Sequence, residues 1–318
     1  MARPRKEQIS LSDTPYYHIV SRCVRRTFLC GFDNETQQSY EHRKQWIVDR
    51  IRLLSSLFTV DLCSYAVMSN HYHLVVKIDP EQSIHWTDQE VVERWAALYS
   101  TPLVIQKWLA GSPLSKTEKD TVNSIINIWR KRLCNISWFM KCLNEPIARL
   151  ANKEDGCTGH FWESRYKSQA LLSENALLAC MVYVDLNPIR AGINKTPESS
   201  DFTSIQERIS PKWSLEEAIN DQFKETAIQL ESSIKSLYSF KQISDIDAPD
   251  KLPITFIDYI ELVDWTGRII REGKRGYIPK NIPPIAQRLK LQTEEWVNQS
   301  THFEERYHRS RTIKINTS

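Results

Sequence analysis

The chain reads as an α+β protein, a βαββαβ antiparallel sheet carrying a helical insertion and followed by a mostly helical C-terminal region. Three stretches predict this. Residues 15–22 (Pro-Tyr-Tyr-His-Ile-Val-Ser-Arg) are rich in aromatic and β-branched residues, as a strand requires. Residues 34–58 place Trp46, Ile47, Ile51, Leu54 and Phe58 at helical spacing among charged residues. Residues 65–78 then hold two apolar runs on either side of Ser69-Asn70, which reads as two strands joined by a tight bend. Strand, helix, strand, strand is the first half of a βαββαβ unit, with its helices expected on one side of the sheet.

The later elements follow from the same signals. Residues 89–99 and the run through Ile125, Ile128 and Trp129 have helical period, with a Gly111-Ser112-Pro113 break between them, so residues of about 80–135 form a helical insertion. Residues 138–152 predict another helix that Pro146 should start or kink. In residues 159–169 aromatic and basic residues alternate, and on a strand Arg165 and Lys167 would share one face. Ser173 is an N-cap candidate for a helix that Asn187-Pro188 should limit. Residues 194–210 turn polar and read as linker, so the chain divides into residues 1–195 and 196–318. In the second part residues 216–236, 256–271 and 289–297 have helical spacing, residues 245–253 read as loop, and the tail from 301 is polar and basic.

Composition narrows the class of function. Hydrophobic residues at 41% and charged residues at 25% are ordinary for a globular protein of 318 residues, and no apolar run is long enough to span a bilayer. Seven scattered cysteines without Cys-x-x-Cys spacing favour reduced thiols over a disulfide framework or a zinc ribbon. The basic start Met1-Ala2-Arg3-Pro4-Arg5-Lys6 leads into polar residues, so a cytoplasmic location is expected. A formal charge of +3 permits a nucleic-acid partner without requiring one, because the distribution of charge decides that.

Two groups of residues could carry chemistry. Alternation along a strand turns His71 and His73 to one face and Tyr72 to the other, which makes the two imidazoles a candidate pair of metal ligands. Taken alone, such a pair is more often structural than metal-binding. Tyr183 and Asn187 lie four apart on a helix and share a face, one a candidate nucleophile and the other a candidate oxygen ligand. Singly, each also suits a packed aromatic and a helix-stop asparagine. Arg165 and Lys167 suit a phosphate backbone, or equally a charged edge strand that resists aggregation.

Set together, His71-Tyr72-His73 and Tyr183-x-x-x-Asn187-Pro188 resemble the single-tyrosine HUH transposases, in particular the REP-associated tyrosine transposases. Residues 16–22 resemble that family's first strand, residues 159–168 its last, and Asn187-Pro188-Ile189-Arg190-Ala191-Gly192 the exit of its catalytic helix. Departures are Cys23, where relatives often have glycine, and the acidic Glu154-Asp155 in a loop that tends to be basic. The resemblance implies a ferredoxin-like catalytic domain over 1–195 and a metal-dependent single-stranded DNA nuclease and strand transferase acting at hairpin-containing DNA. Tyr183 would form a 5′-phosphotyrosine, with Tyr166 and Tyr72 as alternatives. His71, His73 and Asn187 would hold Mg²⁺ or Mn²⁺, and Arg22, Arg165, Lys167 and Arg190 would contact DNA. A cytoplasmic, nucleoid-associated protein is implied, either monomer or homodimer. Two other readings stand beside it: a DNA-hairpin-binding protein without turnover, and a metal-dependent hydrolase with a structural tyrosine.

Overall fold

The computed structural model describes residues 9–24, 30–33, 37–210, 235–242, 250–270 and 273–289. Most of the predicted helices at 216–236 and 289–297, and the tail from 301, lie outside them. Four strands, β1 (Tyr16–Arg22), β4 (Val60–Val67), β5 (His71–Ile78) and β6 (Lys167–Ala170), form an antiparallel sheet in the order β4-β5-β1-β6. A short hairpin, β2 (Phe32–Asp33) with β3 (Gln38–Ser39), precedes α1 (His42–Leu57). The helix thus starts later than residue 34, close to its first apolar position at Trp46.

Between β5 and β6 lie α2 (Asp88–Ala96), α3 (Leu103–Leu109), α4 (Lys116–Leu133) and α5 (Ile136–Glu154). The first three are the expected insertion. Thr87 and Ser115 start α2 and α4 with reciprocal capping by Glu90 and Glu118. Asn135 caps α5, which runs through Pro146 without ending. Proline lacks the N–H that would bond the Cys142 carbonyl, and Arg50 Nε of α1 donates to that oxygen instead at 3.0 Å. The carbonyl that the proline leaves without its helical donor is therefore satisfied from the neighbouring helix.

The two faces of the sheet are covered differently. Tyr17 and Ile19 of β1 and Tyr72, Leu74 and Val76 of β5 share a core with Ile47, Ile51, Phe139 and Leu143 of α1 and α5. On the opposite face, Ala66 and Val75 pack against Leu177, Leu178, Met181 and Val182 of α6 (Glu174–Asp185). The expectation of helices on one side is corrected: α6 is apolar on the side that meets β4 and β5 and so closes the second face.

The same second core contains Ile205, Tyr238, Leu252, Tyr259, Ile260, Val263 and Ile278, so the chain beyond residue 195 shares its core with the sheet. The described α-helices after α6 are α7 (Asn187–Arg190), α8 (Ser204–Ile209), α9 (Phe256–Arg268) and α10 (Ile285–Arg288). Asp185 ties these parts together, its buried carboxylate accepting from Ser204 Oγ at 2.6 Å, from the Ile205 N–H and from Tyr259 Oη. Burial pushes that carboxyl up to about 6, although its hydrogen bonds pull the other way. Among the described residues no helix is long and apolar enough to cross a membrane.

Candidate active site

Strand alternation and register assemble the site. Arg22 lies opposite His71 and Val20 opposite His73, while Lys167 lies opposite Val20 and Gln169 opposite His18. Directly opposed side chains of an antiparallel pair share a face, so His18, Arg22, His71, His73, Lys167 and Gln169 all lie on the α6 side. At the usual strand spacing, Lys167 on β6 is about 10 Å from His73 on β5.

Helix α6 brings the tyrosine. Ser173 caps it by accepting from the Ala176 N–H at 3.2 Å. Leu186 keeps helical dihedrals between α6 and α7, so Asn187 follows Tyr183 by about one turn on the same side. Tyr183 is 40% exposed. Its ring meets His73 edge-on with centroids 5.6 Å apart and His18 edge-on at 6.1 Å. The alternative tyrosines are elsewhere. Tyr72 is buried on the opposite face and donates to Asn144 Oδ1 at 2.6 Å, and Tyr166 is buried with its hydroxyl 3.0 Å from Ser137 Oγ.

The histidines are held from one side. His71 Nδ1 lies 2.6 Å from Asn70 Oδ1, an oxygen that can only accept, so Nδ1 carries the proton and Nε2 the lone pair. His73 Nδ1 is 3.0 Å from His18 Nε2, and His73 Nε2 is buried with no hydrogen-bond partner. Burial, helped by the nearby Arg22 cation, lowers His71 to about 4. Burial first, then the neighbouring His71, His18 and Arg22, lowers His73 to about 2. Both rings are neutral near pH 7 and able to donate lone pairs. The Asn187 Nδ2 is likewise buried without a partner. Turning that amide over would put its oxygen in the same place. An orphaned imidazole nitrogen, a second imidazole with its Nδ1 already engaged, and an orphaned amide fit a divalent cation that keeps open positions for oxygen ligands. Among the described residues no group of three His, Cys, Asp or Glu side chains is arranged to hold a metal.

The four basic candidates separate. Arg22 and Lys167 are exposed on the histidine face. Arg165 is exposed, but it sits on a bend before β6 and does not share a strand face with Lys167, because only Lys167–Ala170 pair with β1. Arg190 is corrected outright: it is buried, and its guanidinium donates to the carbonyls of Ile269 and Thr266 at 2.6 Å each. Those carbonyls end α9, a position that favours a cation. The acidic pair is also engaged within the protein, Glu154 and Asp155 both binding the fully buried Arg43. The residue that sequence reasoning passed over is His18. Its signal was present in strand alternation, which sets His18 and Arg22 on one face, but only the strand order places β1 next to β5.

No protein-family model matches the chain, and no curated protein does. Among solved structures it is similar to a REP-associated tyrosine transposase bound to a REP hairpin, at 11% sequence identity and a TM-score of 0.37, over 68% of this chain and 90% of that one. A likeness that distant carries no argument about activity, which rests on the residues themselves.

Proposed function

We propose that the chain is a single-strand DNA endonuclease and strand transferase with Tyr183 as nucleophile. The observation that carries this reading is the exposed Tyr183 ring set edge-on against His73, with His71 beside it at 4.8 Å between ring centroids. The Tyr183 oxygen attacks phosphorus in line, forming a tyrosyl O–P bond while the P–O3′ bond breaks. The fragment on one side keeps a 3′-hydroxyl and the other is held as a 5′-phosphotyrosine. The phenol proton is lost to solvent and the departing 3′-oxygen gains one. The ester conserves the phosphodiester energy, so attack by a 3′-hydroxyl rejoins strands without a nucleotide cofactor.

His71, His73 and Asn187 would hold Mg²⁺ or Mn²⁺, which supplies charge stabilisation at the non-bridging oxygens. Arg22 and Lys167, on the same face, hold the flanking backbone. The exposed residues of that face, Arg22, Lys167 and Gln169, suit an unpaired strand that can bend toward Tyr183. A DNA partner containing a hairpin beside an unpaired segment is the substrate this reading selects.

Incubation with end-labelled single strands flanking a hairpin, in Mg²⁺ or Mn²⁺, tests the reading. A covalent protein–DNA adduct that withstands denaturant and depends on the divalent ion is the expected result. Hairpin binding with no adduct under any metal would leave a binding protein without turnover, and cleavage with no adduct would leave a hydrolase.

A further inference from the structure

We infer that His18 is a positioning residue, accepting a hydrogen bond from His73 Nδ1 and thereby fixing the His73 Nε2 lone pair toward the space beside Tyr183. The inference deepens the proposed function and rests on it for the use made of that lone pair. Its geometry stands independently.

His18 sits on β1, diagonal to His73, since His73 pairs with Val20 and His18 with Val75. A diagonal pair on adjacent strands is within reach of long or aromatic side chains. The rings lie nearly parallel, at 11°, with His18 Nε2 and His73 Nδ1 3.0 Å apart. One of the two nitrogens carries the proton. Were it His18 Nε2, the neutral His73 would carry its own proton on Nε2, a buried N–H facing no acceptor. With the proton on His73 Nδ1, the bond to His18 is made and Nε2 presents a lone pair that a cation can use. His71 follows the same plan, since its Nδ1 faces Asn70 Oδ1. Both imidazoles are then held through Nδ1, one by an asparagine of the bend and one by a histidine of the neighbouring strand. Such outer partners set the tautomer and orientation of metal-binding histidines. His18 also meets the Tyr183 ring edge-on, so one side chain braces both the ligand and the tyrosine.

The test compares the wild-type protein with His18→Phe, which keeps a planar ring but cannot accept, and His18→Gln, whose Oε1 can. Two readouts are taken on metal-free, ¹⁵N-histidine-labelled protein and on the same samples titrated with Mn²⁺. The first is the His73 tautomer, from long-range ¹H–¹⁵N couplings, and the second is Mn²⁺ affinity, from the EPR signal of the free ion. Wild type should show the Nδ1–H tautomer at His73. His18→Phe should lose it and bind Mn²⁺ about 10–100-fold more weakly, with His18→Gln recovering most of both. An Nε2–H tautomer at His73 in the wild-type protein overturns the inference, even if His18→Phe does not fold. So does a His18→Phe protein with unchanged tautomer and unchanged Mn²⁺ affinity. Absence of Mn²⁺ binding by wild type would instead count against the metal in the proposed function, and the tautomer comparison would still decide the role of His18.

Discussion

The Tyr183 ring stands edge-on to that of His73, centroids 5.6 Å apart and planes at 88°. That contact is made by the ring, so Tyr183→Phe should keep it and change stability by no more than about 0.5 kcal/mol, as expected for a half-exposed position. The hydroxyl is the reacting atom in the proposed function. The variant should bind single strands as wild type does and form no covalent adduct, read on a denaturing gel with end-labelled DNA. An undiminished adduct would remove Tyr183 from its role.

The arrangement around that contact was partly legible beforehand. Period-two alternation sufficed to put His71 and His73 on one face, and helical spacing sufficed to pair Tyr183 with Asn187, because the first relation lies within one strand and the second within one run of helical backbone. His18 and the Arg190 correction depend on which elements become neighbours. A buried Arg190 capping α9 looks, in sequence, like any arginine after a helix that ends in Asn-Pro. The acidic Glu154-Asp155 likewise gave no sign of Arg43, which sits more than a hundred positions earlier in the chain. That the Cys142 carbonyl freed by Pro146 would find a donor could not be foreseen either, since Arg50 comes from a different helix.

Metal removal should stop the reaction without unfolding the protein. His71 and His73 already have their Nδ1 atoms engaged by Asn70 and His18, so in the proposed function both rings would be set before any ion arrives. With EDTA, adduct formation should vanish while the thermal melt stays where it was, and Mg²⁺ or Mn²⁺ should restore the adduct. Adduct formation at full rate in EDTA would sink the ligand assignment of both histidines.

The exit of the tyrosine-bearing helix is gripped from the C-terminal region at Gly276. A Cβ at this position would lie 1.9 Å from the Ile189 carbonyl oxygen and 3.0 Å from Gly192 N. Gly276→Ala therefore forces backbone apart and should cost about 1–3 kcal/mol, measured as a lowered denaturation midpoint. Because the displaced segment follows Asn187 directly, Mn²⁺ affinity should fall as well. A variant as stable as wild type would mean that the segment yields freely.

Glu261 predicts a pH dependence of stability. It is half-buried on α9, with Asp258 and Asp264 three residues away on either side, and burial followed by those two charges raises its carboxyl to about 7. The folded protein holds this proton more tightly than the unfolded chain, whose carboxyl titrates near 4.5. The Glu261 contribution to stability is thus greatest below pH 4.5 and declines until pH 7, beyond which it is constant. Glu261→Gln should be close to wild type at pH 4.5 and more stable at pH 8, by about 1 kcal/mol once solvent screening of a half-exposed group is allowed for. Melts at the two pH values check it, and a gain of equal size at both would show that charge is not the cause.

The four basic residues should divide into two kinds when replaced by alanine. Arg22 and Lys167 are exposed on the histidine face and would neutralise phosphates. Losing either charge should weaken single-strand binding and reduce the slope of log affinity against log salt by about 0.7, the counterion release for one phosphate contact on a single strand. Stability should hardly change, since neither side chain is buried. Arg190→Ala should do the reverse. It removes two charge-assisted hydrogen bonds from a side chain that is only 5% exposed, taking that donor from the Ile269 carbonyl and leaving the Thr266 carbonyl with only the Ile269 N–H. A loss of about 2–3 kcal/mol in stability follows, with an unchanged salt slope for whatever fraction remains folded. The contrast is read by two titrations per variant, denaturant for stability and salt for binding. A salt slope that falls with Arg190→Ala as it does with Arg22→Ala would put the Arg190 guanidinium back on the DNA and contradict its place under α9.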